Sequence, residues 1–274
     1  MSTVTIVIPI YKNRPNQQEI LSFNQCINIL SNYEITIVTF EHCDITYYTA
    51  IMNAQNITYS VKYFKKTYFE NIKGYNKLMI APSFYKAFKM YTFILIYQLD
   101  AFVFRDELKD WCNKGYSYIG APWIVKKNGL LEFDDTGNGG LSLRKVRDHI
   151  KALHSFSYIV SPKKLVKEYF QPKRSFKAYL QLSFKLVKQL ISINNTYYLL
   201  NDYKFHEDYF WCKVVAKNFN WFKVPKAEEA LKFSFELEPS YLFHLNNDQL
   251  PFGCHAWEKY EPDFWISYIR ARTI

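Results

Sequence analysis

The sequence predicts an α/β fold, a single domain built on a doubly wound sheet, and three observations predict it. The first segment, Thr3 to Ile10, is β-branched and continuously apolar, as a strand buried on both faces of a parallel sheet must be. Helical and strand-like segments then alternate, which implies parallel strands joined by crossovers. A second apolar run, Thr92 to Leu99, interrupted at Gln98, ends abruptly at Asp100. In open α/β sheets ligands bind beyond the carboxyl ends of the strands, so Asp100 falls where chemistry is expected.

The elements follow in order. The strand Thr3 to Ile10 stops at Pro9 and a polar run from Lys12 to Gln18. A helix over Glu19 to Leu30 leads to a strand at Glu34 to Phe40, and a third strand is expected at Thr58 to Phe64. Asn76 to Tyr91 reads as one helix before the central strand Thr92 to Leu99. Asp106 to Asn113 reads as a further helix, followed by Tyr116 to Trp123 and the glycine-rich Gly137 to Gly140. A helical, basic insertion is expected at about 160–200. The globular pattern resumes where His206-Glu207-Asp208 opens a helix, and it closes with Phe233 to Leu237 and an aromatic tail from Pro251 to Trp265.

The chain has 274 residues, 49% of them hydrophobic, enough for one large core. No stretch approaches the roughly 18 uninterrupted apolar residues of a membrane span. With no basic n-region before the first apolar run, a cytoplasmic location is expected. Its five cysteines are scattered without a C-x-x-C pair, which suits reduced thiols. The formal charge of +10 points to an anionic partner. That excess is concentrated: residues 161–191 carry eight basic side chains against one acid, a net of +7. Such local charge does not suit a nucleic-acid-binding protein, whose basic residues should line a face among aromatics.

Several residues have two readings. Asp100 is a metal or phosphate ligand, or the cap of a turn. Gly137 to Gly140 permits close approach of main chain to a ligand, or is simply a loop. It is neither a Walker A loop nor a dinucleotide fingerprint. Arg144, Lys145 and Arg147 face a phosphate or water. Glu207-Asp208 stands at a helix start, where acids are favoured by the dipole, and equally where a general base could be fixed. His255 and the aromatics Trp123, Trp257 and Tyr260 are core, or ligand and stacking platform.

Taken in order, Ile94 to Phe104, Trp111 to Trp123, Gly137 to Arg144, Glu207-Asp208 and Pro251 to Trp257 resemble an uncharacterised bacterial family of glycosyltransferases of the GT-A fold. The resemblance implies a donor site for a nucleotide-diphosphate sugar, with UDP as the expected carrier, formed by Pro9, Ile10, Tyr11, Tyr75, Lys77, Gln98, Asp100, Gly139 and Gly140. It implies Mn²⁺ or Mg²⁺ held by Asp100 and His255, and Asp208, with Glu207 beside it, as catalytic base of an inverting reaction. Asp100 matches the last acid of the family's Asp-x-Asp element, whose first acid is here Gln98. The acceptor implied is a surface glycan or its lipid-linked precursor. A sugar nucleotidyltransferase is the rival enzyme, but Pro9 to Arg14 lacks the glycine-rich loop it would carry. Within the insertion, Phe176 to Ile191 places its apolar side chains on one broad arc and Lys177, Lys185 and Lys188 on the other. That arc packs on the core or on a second subunit in a homodimer, or lies on an anionic membrane at the inner face.

Overall fold

The computed structural model describes residues 3–154, 167, 175–191 and 206–270. Its centre is a six-stranded mixed sheet, the α/β architecture that the sequence predicts, in the order β3 (Tyr59–Tyr63), β2 (Glu34–Thr39), β1 (Val4–Pro9), β4 (Phe93–Tyr97), β9 (Leu141–Lys145) and β6 (Tyr118–Ile119). Strands β1, β2, β3 and β4 run parallel. The inner residues of β1, β2 and β4, among them Ile6, Ile8, Ile35, Ile37, Leu95 and Tyr97, are wholly buried, which is why these strands read as mostly apolar runs. Two antiparallel strands finish the sheet: β9 pairs with β4, and β6 pairs with β9.

Helix α1 (Gln17–Ile29) connects β1 to β2. It opens with a capping box in which Asn16 Oδ1 accepts from the Glu19 N–H and Glu19 Oε2 accepts from the Asn16 N–H. Helix α2 (Thr46–Ala54), which the sequence reading does not anticipate, buries Tyr48 and Met52 one turn apart. The single helix expected over Asn76 to Tyr91 is two, α3 (Ile72–Met79) and α4 (Pro82–Ala87). Pro82 is the cause, since it forces Ala81 out of the helical region to φ −75°, ψ 129°.

Beyond β4 the chain forms β5 (Ala101–Val103) and α5 (Leu108–Asn113). A hairpin follows, β7 (Pro122–Lys127) and β8 (Leu130–Thr136), joined by Asn128 and Gly129, both at positive φ as a two-residue turn of this type requires. After β9 come α6 (Val146–Leu153) and, within the basic region, α7 (Phe176–Ile191). The remainder of the insertion expected at about 160–200 lies outside the described residues, Lys167 apart. Helix α8 opens as Glu207–Tyr209, widens into a π-helical turn over Phe210–Val215 and closes as Ala216–Asn218. The chain ends with α9 (Ala227–Phe233), β10 (Ser234–Phe235), α10 (Pro239–Leu245), β11 (Gly253–His255) and α11 (Pro262–Arg270). Strand β11 joins β10 in parallel and β5 in antiparallel fashion, and the second pairing sets His255 opposite Ala101, next to Asp100. No helix among the described residues is long and apolar enough to cross a membrane.

Candidate functional site

Strand β1 lies between β2 and β4, so the chain reverses its direction of sheet growth there, and the crevice outside the carboxyl ends of β1 and β4 is the place where such sheets bind ligands. A cleft of about 450 Å³ occupies it. Pro9 at the end of β1 and Tyr11 beyond it line the cleft, with Gln98, Leu99 and Asp100 from just after β4, Asn16 and Glu19 from the start of α1, and Asn71, Ile72 and Tyr75 from the start of α3. Tyr68, Phe69, Glu70 and Glu258 complete the wall. Of the residues expected at a donor site, the cleft therefore gathers Pro9, Tyr11, Tyr75, Gln98 and Asp100. Ile10 is buried behind it, and Lys77 is exposed on α3 away from it. The Tyr75 hydroxyl is buried beside Gln98 with no hydrogen-bond partner among the described residues.

Four carboxylates, Glu19, Glu70, Asp100 and Glu258, line the cleft, and no basic side chain among the described residues lines it. Lys12, next in sequence to the cleft residue Tyr11, is engaged with Glu19 at 2.5 Å. Burial, together with the charges of Asp100 and Glu19, raises the Glu258 carboxyl above its ordinary range. An anionic ligand entering here needs a cation with it.

Behind the cleft, a closed circuit of hydrogen bonds holds the end of β11 to the end of β4. The Gln98 N–H donates to Gly140 O (2.9 Å), the Gly140 N–H to Asn138 Oδ1 (2.9 Å), and Asn138 Nδ2 to Glu236 Oε2. Glu236 Oε1 lies 3.2 Å from His255 Nδ1, and His255 Nε2 is 3.1 Å from both Gln98 Oε1 and Asp100 Oδ1. Burial works against a charged imidazole here, but Asp100 and Glu236 on its two sides outweigh it and raise His255 to about 10. The same contact with His255 overcomes the burial of Asp100 and lowers its carboxyl below the usual range. Gly140 makes the arrangement possible, because a Cβ on it would come within 1.9 Å of His255 Nε2.

No three His, Cys, Asp or Glu side chains converge as a metal centre among the described residues. Two of the ligand types that a divalent ion takes, the Asp100 carboxylate and the His255 imidazole, do meet, with the Gln98 amide oxygen as a third. Their 3.1 Å spacings match the ~3 Å between neighbouring ligands of an octahedral ion with bonds near 2.1 Å. This donor set fits the Mn²⁺ or Mg²⁺ that the resemblance implies.

Glu207 and Asp208, adjacent in sequence, have different surroundings. Glu207 is buried in a bidentate pair with Arg144, at 2.7 and 2.9 Å. Arg144 is itself fully buried and donates also to the Tyr85 hydroxyl and Ser142 Oγ. Neither of the readings open for Arg144, phosphate or water, describes it, because Glu207 occupies its guanidinium. Gly139 is packed against this pair, a Cβ there meeting Glu207 Oε1 at 2.3 Å. Gly139 and Gly140 thus sit behind the cleft and not on its wall. Asp208 is partly exposed, accepts from the Tyr209 N–H at 2.7 Å, and is pushed up to about 7 by burial and by the charge of Glu207, with Glu236 adding to it. It does not line the cleft. Tyr209 stacks with Trp123 at 6.3 Å, whereas Trp257 is buried in the core.

The residues that sequence reasoning misses are of two kinds. Asn16 and Glu19 carry a visible signal, the Asn-x-x-Glu spacing of a capping box. Glu236 and Asn138 carry none, since only the folded chain brings position 236 to positions 138 and 255.

The sequence profile of a family described as "Protein of unknown function (DUF5672)" matches residues 58–255, well over half of the chain. The protein belongs to the DUF5672 family. That match spans Gln98, Asp100, Asn138, Glu207, Asp208, Glu236 and His255 of this DUF5672 member, but not Pro9 or Tyr11. No curated protein matches the sequence. Among solved structures, the chain is similar to mouse xyloside xylosyltransferase 1 (11% identity, TM-score 0.46, 93% of this chain and 97% of that one). It is similar to a glycosyltransferase involved in glycosylation of the major capsid of PBCV-1 (7% identity, TM-score 0.41, 98% and 99%). A third likeness is to core-mannan synthase A from Aspergillus fumigatus in its Mn/GDP form (9% identity, TM-score 0.36), where the match covers 46% of this chain and 44% of that one.

Proposed function

We propose that the protein is an inverting glycosyltransferase that moves a sugar from a nucleotide-diphosphate donor, with UDP as carrier, to a hydroxyl of a surface glycan or its lipid-linked precursor. The observation that carries this is the acidic cleft at the reversal of the sheet, with Asp100, Gln98 and His255 converging at one side. A nucleoside diphosphate suits such a cleft when a divalent cation accompanies it. Asp100 and His255 would hold that cation, Mn²⁺ or Mg²⁺, with Gln98 beside them. When bound, it neutralises the negative charge that gathers on the departing diphosphate.

The chain's own residues supply the rest. Tyr11 and Phe69 offer ring faces along the cleft, and the Tyr75 hydroxyl offers a hydrogen bond that nothing among the described residues takes. Asp208 accepts the proton of the acceptor hydroxyl. The oxygen attacks the anomeric carbon as the bond from that carbon to the diphosphate breaks, and configuration inverts. A carboxylate with a pKa near 7 is well matched to that task at neutral pH. Glu207 serves Asp208 indirectly, since its charge helps to hold the neighbouring pKa up.

The proposed partners include an anionic membrane surface at the inner face of the membrane, met through residues 161–191. In support, Phe176, Leu180, Phe184 and Val187 recur on one side of α7 and are exposed.

The deciding experiment incubates the protein with a panel of nucleotide sugars and Mn²⁺, and measures release of each nucleoside diphosphate with and without glycan acceptors. Release from one donor, accelerated by an acceptor, is expected. No release from any donor would remove the reading.

A further inference from the structure

Glu236 is a carboxylate that folding takes almost wholly out of water, at 9% exposure, in a place where the sheet does not need one. Strands β10 and β11 pair through their main chains, Ser234 with Gly253 and Phe235 with Cys254. The next residues in that register are Glu236 and His255. Burying an acid costs several kcal/mol unless its oxygens are satisfied, and both are: one by His255 Nδ1, the other by Asn138 Nδ2. Glu236 does not line the cleft and so meets no ligand there. What it touches is a ring whose opposite edge meets Asp100 and Gln98, which do line it.

We propose that Glu236 is a positioning residue: it grips His255 by Nδ1 so that Nε2 is turned toward Asp100, and Asn138 grips Glu236 in turn. An imidazole is nearly symmetrical in shape, and a half-turn of the ring about Cβ–Cγ sets a carbon where each nitrogen stood. A carboxylate on one nitrogen settles which of them remains for a ligand, as carboxylates behind metal-bound histidines do. Asn138 is suited to hold that carboxylate, because its own oxygen is fixed by the Gly140 N–H and its NH₂ group must therefore face Glu236. The circuit then returns through Gly140 to Gln98, so the grip on Nδ1 and the placing of the cleft residues belong to one closed structure.

The test uses the interchange of the two partners and rests, in its first part, on the reading of Asp100 and His255 as cation ligands. In Glu236→Gln the amide either turns its NH₂ group to Asn138 Nδ2, which opens the circuit, or donates it to His255 Nδ1, which leaves the ring proton on Nε2 and takes that nitrogen from a ligand. In Asn138→Asp/Glu236→Gln, the carboxylate and the amide change places. The carboxylate now at position 138 accepts from the Gly140 N–H and from the amide NH₂ at position 236, the oxygen of that amide accepts from His255 Nδ1, and the circuit closes again. Mn²⁺ affinity, followed by the electron paramagnetic resonance signal of the free ion, should fall about 10–100-fold in Glu236→Gln. In the double variant it should recover to within about threefold of wild type, on the same order-of-magnitude scale.

The second part needs no metal. Nuclear magnetic resonance of ¹⁵N-labelled histidine should show a slowly exchanging Nδ1–H for His255 in the wild type and the double variant, and a fast-exchanging or lost Nδ1–H in Glu236→Gln. Wild-type Mn²⁺ affinity in Glu236→Gln, or an unchanged Nδ1–H signal, would overturn the proposal. So would a double variant no better than the single one. If the wild type leaves Mn²⁺ free, the cation is removed from the proposed function, and the Nδ1–H signals alone decide for or against Glu236. Glu236→Asp, which keeps both acceptors but shortens their reach, replaces Glu236→Gln in both measurements if the latter does not fold.

Discussion

Two charged clusters lie within the same domain, one closed and one open. At the first, Arg144 and Glu207 are buried and meet bidentately, and the remaining donors of Arg144 are taken by Tyr85, Ser142 and Gly139 O. At the second, His255 stands between Glu236, which is buried, and Asp100, whose side chain is 43% exposed to the cleft. The first has nothing left to offer a ligand, and it serves the fold. The second has spare capacity on the side of Asp100, and that is where chemistry can be done. Position in sequence does not distinguish them: Glu207 belongs to the closed cluster while its neighbour Asp208 stands outside it.

The contrast can be broken at each end. The largest effect is expected from Asp208→Asn, which should lower transfer by about 10²–10⁴-fold with donor binding retained. The wild-type rate should rise with pH through about 7, because the base must be deprotonated and burial with the Glu207 charge holds its proton to that pH. Single-turnover rates and nucleotide titrations check both statements, and near-native turnover by the variant would leave Asp208 a helix-start residue only. Next, Glu207→Ala should cost about 3–5 kcal/mol of stability by chemical denaturation, because it strands the Arg144 charge in the core. Replacing the two together, as Arg144→Met/Glu207→Leu, should return most of that loss. If the single and double variants are equally unstable, the closed cluster is not the ion pair described.

The open cluster gives smaller, conditional effects. At neutral pH His255 carries a proton on each nitrogen, since its pKa is raised to about 10, and a cation at Nε2 must displace one of them. Mn²⁺ affinity should therefore rise as pH climbs from 6 to 9, close to tenfold per unit, in calorimetric titrations. A flat profile would remove His255 from the ligand set. The last effect is confined to α7: sedimentation with anionic vesicles at low salt should be reduced by Lys177, Lys185 and Lys188 to Glu, by roughly 1 kcal/mol, or about fivefold, for each lysine lost. Absence of vesicle binding by the wild type would leave protein packing as the role of that helix.

Much of the fold is legible in the sequence because β1, β2 and β4 are buried on both faces and so are mostly apolar. Asp100 is legible for the same reason, as the residue at which such a run stops. The hairpin β7 and β8 escapes this reading because its strands carry Lys126, Lys127, Glu132 and Asp134, although Asn128-Gly129 is a plain turn signal. Helix α2 escapes because its buried contacts are only Tyr48 and Met52, too few to set a period. The break at Pro82 follows from the restriction on Ala81, which the apolar pattern of Leu78 to Phe88 conceals. At the site, Glu236 and Asn138 were beyond reach. Their meaning depends on β10 pairing with β11 and on a loop returning to both, contacts of long sequence separation with no local signature.

The π-helical turn Phe210–Val215, directly after Asp208, has a consequence for how this chain can vary in length. A π turn closes its hydrogen-bonded ring with one residue more than an α turn, so it is an insertion that the helix absorbs as a bulge. The residues before it keep their outlook while Trp211, Val215 and Phe219 keep theirs toward the core. Deleting one residue from this stretch leaves an ordinary α turn with both ends still in phase. The same deletion within α1 would swing everything beyond it through about 100°. Between a partly exposed carboxylate and a packed aromatic core, the chain thus holds one residue of slack, placed where the two sets of demands meet.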